Sequence, residues 1–307
     1  MVVRLLVGAT ALSLIVPSSV SFAREPAGAA AHGASAVMGL TFVRGRLIQN
    51  QYVMRTRADG SVMRFVRGFN PVWSPDGREL AFIALRPTAP SAGMESDIFI
   101  ISADGRYRRR LTNDPSQESA IEWSPDGAQI AYSDAVPHGG SGDIIVADRS
   151  GRRHRRLTRT DWICESPTGW SRDGRWVQVS TCVTGARSER RATDGKRRAA
   201  SAPRGSLSPD GRSPAYLESD DNASTLFVAD ADGKNPRRVA VLNASTLPEW
   251  SPDGRWLAFE GDARDGCGAA EYRAQIFVIA PQPNSKPIPR DCVDAWERSP
   301  AWQPVRR

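Results

Sequence analysis

Short apolar runs separated by tight-turn signals recur along the chain from about residue 40 to its end. After Gly77 the sequence reads Arg-Glu-Leu80-Ala-Phe82-Ile83, and after Gly254 it reads Arg-Trp256-Leu257-Ala-Phe259. Further runs are Asp97-Ile98-Phe99-Ile100-Ile101, Asp143-Ile144-Ile145-Val146 and Thr225-Leu226-Phe227-Val228. All are of strand length and rich in β-branched, aliphatic and aromatic residues, bounded by Gly, Pro, Asp and Ser. The chain therefore reads as many short strands and no long helix.

One turn signal repeats almost verbatim. It occurs as Trp73-Ser74-Pro75-Asp76-Gly77, Trp123-Ser124-Pro125-Asp126-Gly127 and Trp250-Ser251-Pro252-Asp253-Gly254, with variants Trp170-Ser171-Arg172-Asp173-Gly174 and Leu207-Ser208-Pro209-Asp210-Gly211. A sixth start, Trp302-Gln303-Pro304, lacks the Asp-Gly. Ser, Pro and Gly at these positions suit a type I turn, and a left-handed Gly then closes a short hairpin loop. A second turn signal follows in each unit: Ala103-Asp104-Gly105, Arg149-Ser150-Gly151, Thr193-Asp194-Gly195, Ala231-Asp232-Gly233, with Ala58-Asp59-Gly60 and Pro283-Asn284-Ser285 at the two ends. Each unit is thus strand, tight turn, strand, longer loop, strand, tight turn, strand. Four antiparallel strands in roughly 45 residues, repeated, make a propeller blade.

The expected fold is all-β, a six-bladed β-propeller over residues 38–307. Its last blade is closed by N- and C-terminal strands: residues near 300–307 supply the inner strand, and residues near 38–67 the other three. Between Thr184 and Ala200 the chain is Arg- and Ser-rich with almost no apolar residues. The outer strands of the third blade are therefore expected to be ragged and partly disordered.

The W-S-P-D-G motif, the aliphatic strand after it, Asp-Ile-hydrophobic, Asp-Gly and the Arg-Arg-Leu-Thr ending (Arg109-Arg110-Leu111-Thr112, Arg155-Arg156-Leu157-Thr158) resemble the TolB-type propeller repeats of the WD-repeat-like superfamily. The resemblance spans most of the chain. It implies a six-bladed ring in bacterial envelope or secreted proteins. TolB carries a separate domain ahead of its propeller, for which this chain has no room; related propellers precede a serine-peptidase domain, and none follows here.

Arg4, the apolar stretch 5–16 and Ser21-Phe22-Ala23 read as a secretory signal peptide over residues 1–23. The apolar run is too short to span a bilayer, so no stable membrane insertion is expected after cleavage. Residues 24–37 are Ala/Gly-rich, a flexible leader. The protein is expected to be exported, periplasmic or secreted, and monomeric. Formal net charge is +7. Much of the excess is Arg in the outermost strands, as at Arg106, Arg108, Arg109 and Arg110 and at Arg152, Arg153, Arg155 and Arg156. Such charge discourages edge-to-edge pairing, and it could also attract anionic envelope polymers or a membrane surface. Export argues against nucleic acid. Four cysteines in an oxidising compartment are expected to pair as Cys164–Cys182 and Cys267–Cys292, each worth about 3 kcal/mol. A zinc site is disfavoured for want of CxxC spacing and nearby His.

Candidate chemistry is sparse. The periodic Trp residues suit packing between blades. Non-periodic Trp162 and Trp296 could instead form a stacking platform for sugars. Glu122 and Glu249 directly precede motif Trp residues, near a channel mouth. With Glu118, Asp161 and Glu165 they are the candidate binding residues, expected on the long-loop face, where converging carboxylates could hold Ca²⁺ or receive a basic segment. Only His32, His138 and His154 exist, in unrelated contexts, and no nucleophile elbow, P-loop or dinucleotide fingerprint is present. No catalytic residue or resident cofactor is assigned. The expected function is a binding or scaffold module for a protein, peptide or glycan partner. The alternative is a metal-assisted hydrolase or lyase with carboxylates at the channel mouth.

Overall fold

The computed structural model describes residues 39–304, except 47, 87–94, 115, 136–141, 161–164, 182–187, 201–204, 211, 220–223, 231–232, 243, 245, 263, 265–266, 268–272, 291 and 293–295. Its 24 strands run in chain order as β1 (Leu40–Arg44), β2 (Tyr52–Thr56) and β3 (Val62–Arg67); β4 (Phe69–Trp73), β5 (Glu79–Leu85), β6 (Ser96–Ser102) and β7 (Arg108–Arg110); β8 (Gln117–Trp123), β9 (Gln129–Ala135), β10 (Gly142–Asp148) and β11 (His154–Arg156); β12 (Glu165–Trp170), β13 (Trp176–Thr181), β14 (Ser188–Ala192) and β15 (Arg198–Ala200); β16 (Ser206–Leu207), β17 (Pro214–Ser219), β18 (Ser224–Val228) and β19 (Arg237–Leu242); and β20 (Glu249–Trp250), β21 (Leu257–Asp262), β22 (Ala274–Ile279), β23 (Ile288–Pro289) and β24 (Glu297–Trp302). Each consecutive quartet from β4 to β23 is one four-stranded antiparallel sheet, giving blades one to five. The sixth blade is ordered β24-β1-β2-β3, so the two ends of the chain share it. Its register sets Leu40 opposite Trp302 and Arg44 opposite Glu297. The inner strand of that blade lies slightly earlier than expected, because every inner strand ends on its motif position, Trp or Leu207, rather than beginning there. Among the described residues no helix is long and apolar enough to cross a membrane.

The repeated turn is self-sufficient in hydrogen bonds. In the first copy Ser74 Oγ donates to Asp76 Oδ1 (2.6 Å), the same carboxylate oxygen accepts from Arg78 N–H, and Ser74 Oγ accepts from Glu79 N–H. Gly77 sits at φ 62°, a left-handed conformation that glycine adopts at least cost. The Ser–Asp bond recurs at 2.6 Å in the other four copies. Arg172 in place of Pro in the third copy leaves this network intact.

Between blades the motif Trp acts as a stitch. Trp123, Trp170, Trp250 and Trp302 each donate their indole N–H, at 3.1–3.2 Å, to the backbone carbonyl just before the motif position of the preceding blade: Val72, Glu122, Ser206 and Glu249. At the ring closure a hydroxyl is interposed. Trp73 donates to Thr41 Oγ1, and Thr41 donates to the carbonyl of Ala301. Five apolar clusters fill the seams, each holding one of these indoles: blades one and two around Trp123, two and three around Trp170, four and five around Trp250, five and six around Trp302, six and one around Trp73. The seam between blades three and four has no such cluster among the described residues. The motif position there is Leu207, which is 36% exposed and has no N–H to donate.

The third blade corrects the expectation of ragged strands. β14 pairs with β13 and β15 with β14, both in unbroken register, and Ala192 is buried. Guanidinium groups do what aliphatic side chains do elsewhere. Those of Arg190 and Arg197 lie 5.9 and 5.2 Å from the Trp176 ring, and Glu189 pairs with Arg191 and Arg198. The Cys267–Cys292 bridge is present, with Cα atoms 5.3 Å apart. Cys164 and Cys182 fall outside the described residues, as does the 1–23 signal and 24–37 leader.

Candidate functional site

The residue before each motif position lies at the end of an inner strand, beside a Ser-Pro-Asp-Gly turn. Around the ring these are Val72, Glu122, Gly169, Ser206, Glu249 and Ala301. Two of the six are carboxylates, and they belong to blades two and five, which stand opposite one another in a six-bladed ring. Both line a cavity of about 1100 Å³ at the tight-turn end of the channel, walled by Pro75, Pro125, Pro209, Pro252 and Pro304. The pyrrolidine rings make much of the wall rigid and apolar; Glu122, Glu249, Asp76, Asp253 and Arg78 supply its charge. This corrects the expected placement of Glu122 and Glu249 on the long-loop face. A strand that ends at a tight turn must deliver its last residues to the tight-turn end.

Glu122 is half-buried and Glu249 is exposed, both within the channel mouth. Loss of solvation raises Glu249 to about 7, although the side chain is still wetted. The same cause raises Glu122 well above the usual carboxylate range, and the nearby charge of Glu249 adds to it. No cationic side chain among the described residues pairs with either one.

The other predicted carboxylates do not join them. Glu118, Glu165 and Glu297 all sit five residues before a motif Trp, where the inner strand begins, and all are buried in the body of the ring. This spacing is visible in the sequence and marks them as a structural series. Glu297 is held by Arg44 and Arg290. Glu118 N–H donates to Ser96 Oγ, which donates back to Glu118 Oε2 at 3.2 Å. Burial pushes its pKa up to about 7, against the lowering effect of the nearby Thr112 hydroxyl. Burial raises Glu165 as well. Trp296 is half-buried under Arg46 and Arg298, whose guanidinium carbons lie 5.7 and 5.0 Å from its ring, so it is a packing residue here and not an open platform. Asp161 and Trp162 lie outside the described residues. Among the described residues no group of three or more His, Cys, Asp or Glu is placed to hold a metal ion. Glu122 and Glu249 alone fall short of the six to eight oxygens that Ca²⁺ takes. His154 is engaged with the Tyr132 hydroxyl at 3.0 Å and the Gly151 carbonyl.

Glu118 has a pH consequence. Its folded pKa lies above the unfolded value near 4.5, so the native state holds the extra proton. Stability is expected to fall as pH rises from about 4.5 to 7, by on the order of 3 kcal/mol from this group. Glu118→Gln is expected to flatten that part of the profile. Urea denaturation of both proteins at pH 5 and pH 8 measures the difference; equal slopes for the two would contradict the assignment.

No protein-family profile matches the chain. An uncharacterized peptidase of Bacillus subtilis, YuxL, is 37% identical over 97 residues, which are 31% of this chain and 14% of that protein. Uncharacterized protein Atu1656 of Agrobacterium fabrum is 28% identical over 182 residues, 56% of this chain and 60% of that one. The chain therefore spans less than two thirds of either relative. Among solved structures, TolB from Acinetobacter baumannii superposes with a TM-score of 0.69 at 17% identity, covering 88% of this chain and 68% of that one. Sheet order, blade closure and superposition agree: the chain is a six-bladed β-propeller of the TolB-like fold.

Proposed function

We propose that the protein is an exported, non-catalytic binding module whose tight-turn channel mouth receives a cationic segment of a protein or peptide partner. The observation that carries this is the pair Glu122 and Glu249 on opposite blades, neither in an ion pair among the described residues, in a proline-rich cavity whose lining adds two further carboxylates, Asp76 and Asp253, against one cation, Arg78. An aliphatic stem can pass the pyrrolidine rings while an ammonium or guanidinium tip meets the carboxylates, which relieves their mutual repulsion. The Cys267–Cys292 bridge supports an oxidising, exported setting. The hydrolase or lyase reading loses its footing, because the carboxylates it needed are split between the channel and the blade interior. The likeness to YuxL touches too small a part of that peptidase to import its activity.

The test is fluorescence anisotropy with short labelled peptides on the intact protein. Lys- or Arg-bearing peptides are expected to bind, and neutral analogues are not. Affinity is expected to rise between pH 5 and pH 8 as Glu249 ionises. Glu122→Gln with Glu249→Gln is expected to cost roughly tenfold or more, in line with loss of charge-assisted hydrogen bonds. Equal binding of neutral and cationic peptides, or an unaffected double variant, would defeat this reading.

A further inference from the structure

A second surface lies at the rim, on the outermost strand of blade two. Between Gly151 and Thr160 the chain reads Arg-Arg-His-Arg-Arg-Leu-Thr-Arg. Arg152, Arg153, Arg155 and Arg159 are exposed, and among the described residues no carboxylate lies within ion-pair distance of any of them. The carboxylates nearest the strand are committed elsewhere. Asp143 and Asp134 take Arg156, and Asp148 is tied to Ser150 Oγ and Arg152 N–H.

The corresponding arginines of the neighbouring blades are neutralised. In blade one Arg109 reaches Glu79, Arg110 pairs with Asp97 at 2.6 Å, and Arg108 stacks 4.1 Å from the Phe99 ring. In blade three Arg198 pairs with Glu189 at 2.8 Å and Arg197 with Asp194 at 3.4 Å. Edge protection, the ordinary reason for charge on an outer strand, is satisfied by one or two basic residues. Four uncompensated guanidiniums in eight residues exceed it and repel one another. Arg237 and Arg238 of blade four are exposed and unpaired too, but they are two.

We propose that this strip binds a linear anionic glycan, one bearing carboxylate, sulfate or phosphate groups along its length. Arg153 and Arg155 alternate with the inward-bonded His154 and Arg156, so they share one side of the strand, about 7 Å apart by strand geometry. A row of this kind follows a chain better than it follows a sheet of headgroups. Leu157 is buried, so the row has no apolar side chain to enter a bilayer. It has no free aromatic ring to stack a base, since the His154 ring is held by Tyr132 and Gly151. The oxidising setting that the disulfide supports argues against a nucleic-acid ligand.

The probes are a labelled polygalacturonate oligomer, neutral dextran, single-stranded DNA and vesicles containing anionic phospholipid. The intact protein is expected to bind the uronate oligomer with an affinity that falls steeply with salt, and to ignore dextran. R152Q/R153Q/R155Q/R159Q is expected to weaken that binding roughly tenfold or more at low salt, with an unchanged melting point because all four sites are exposed. R237Q/R238Q is expected to retain it. On the unmodified protein, amide exchange should slow at 152–159 when the oligomer is added, which needs no variant. Undiminished binding by the quadruple variant, no exchange protection, or tighter binding to vesicles or DNA than to the uronate would overturn the proposal. Channel peptide binding is measured separately, so either site can fail alone.

Discussion

Glu297→Gln is expected to lower the stability of the ring by about 3–5 kcal/mol, the usual cost of removing one partner from a buried ion pair. Glu297 is fully buried, and Arg290 is only 2% exposed at its side chain. Arg44 completes the group with a 2.6 Å contact. These residues come from β24, from the segment after β23 and from β1, so one carboxylate ties both ends of the chain to blade five. Without its charge the Arg290 guanidinium stays buried, 4.0 Å from the Phe42 ring, and loses its ion pair with Glu297. Urea denaturation followed by far-UV circular dichroism gives the measurement. Adding Arg290→Met to Glu297→Gln should recover part of the loss, since the stranded charge then disappears. A single variant within about 1 kcal/mol of the parent would show that the cluster does not hold the closure.

Trp302→Ala should cost about 3–5 kcal/mol, the range for large aromatic truncations in a core. Trp302 fills the seam between blades five and six and is 9% exposed. Its indole N–H satisfies the Glu249 carbonyl at 3.1 Å, and that bond is lost with the ring. The melting temperature should fall by roughly 2–4 °C for each kcal/mol. Leu207→Ala, at the equivalent position of blade four, should cost under about 1 kcal/mol, because Leu207 is exposed and stitches nothing. Comparable losses for the two variants would mean that the seams are equally filled, contrary to the distribution of clusters.

Much of this architecture could be read from the chain, because the turn chemistry is local. Ser, Asp and Gly within five residues carry their own hydrogen bonds, so each copy announces a hairpin wherever it occurs. Blade closure was legible for a related reason: an incomplete unit at Trp302 and an unheralded turn at Gly60 complete each other. The third blade was not legible. The stretch from Thr184 to Ala200 carries almost no apolar residues, whereas Trp176 and Glu189 organise its arginines through ring and ion-pair contacts. The site was half legible. Glu122 and Glu249 are distinctive as the charged residues before a motif Trp, but their face follows from where the inner strand ends, which the turn motif alone does not give. Glu118, Glu165 and Glu297 share one offset from Trp, a regularity that points to structure instead of ligand. The partners of Glu297 lie far away in sequence, and no local pattern announces them.

The joint beside Leu207, which holds no apolar cluster among the described residues, divides the ring into two arcs, blades one to three and blades four to six. Glu122 rides on the first and Glu249 on the second. The joint opposite, around Trp73, is glued and can serve as the hinge of a clasp. Heat or a pulling force would part the arcs at the Leu207 joint first. Any such spreading moves the two acids apart, so the residue at position 207, far from either acid in sequence, bears on the width of the channel.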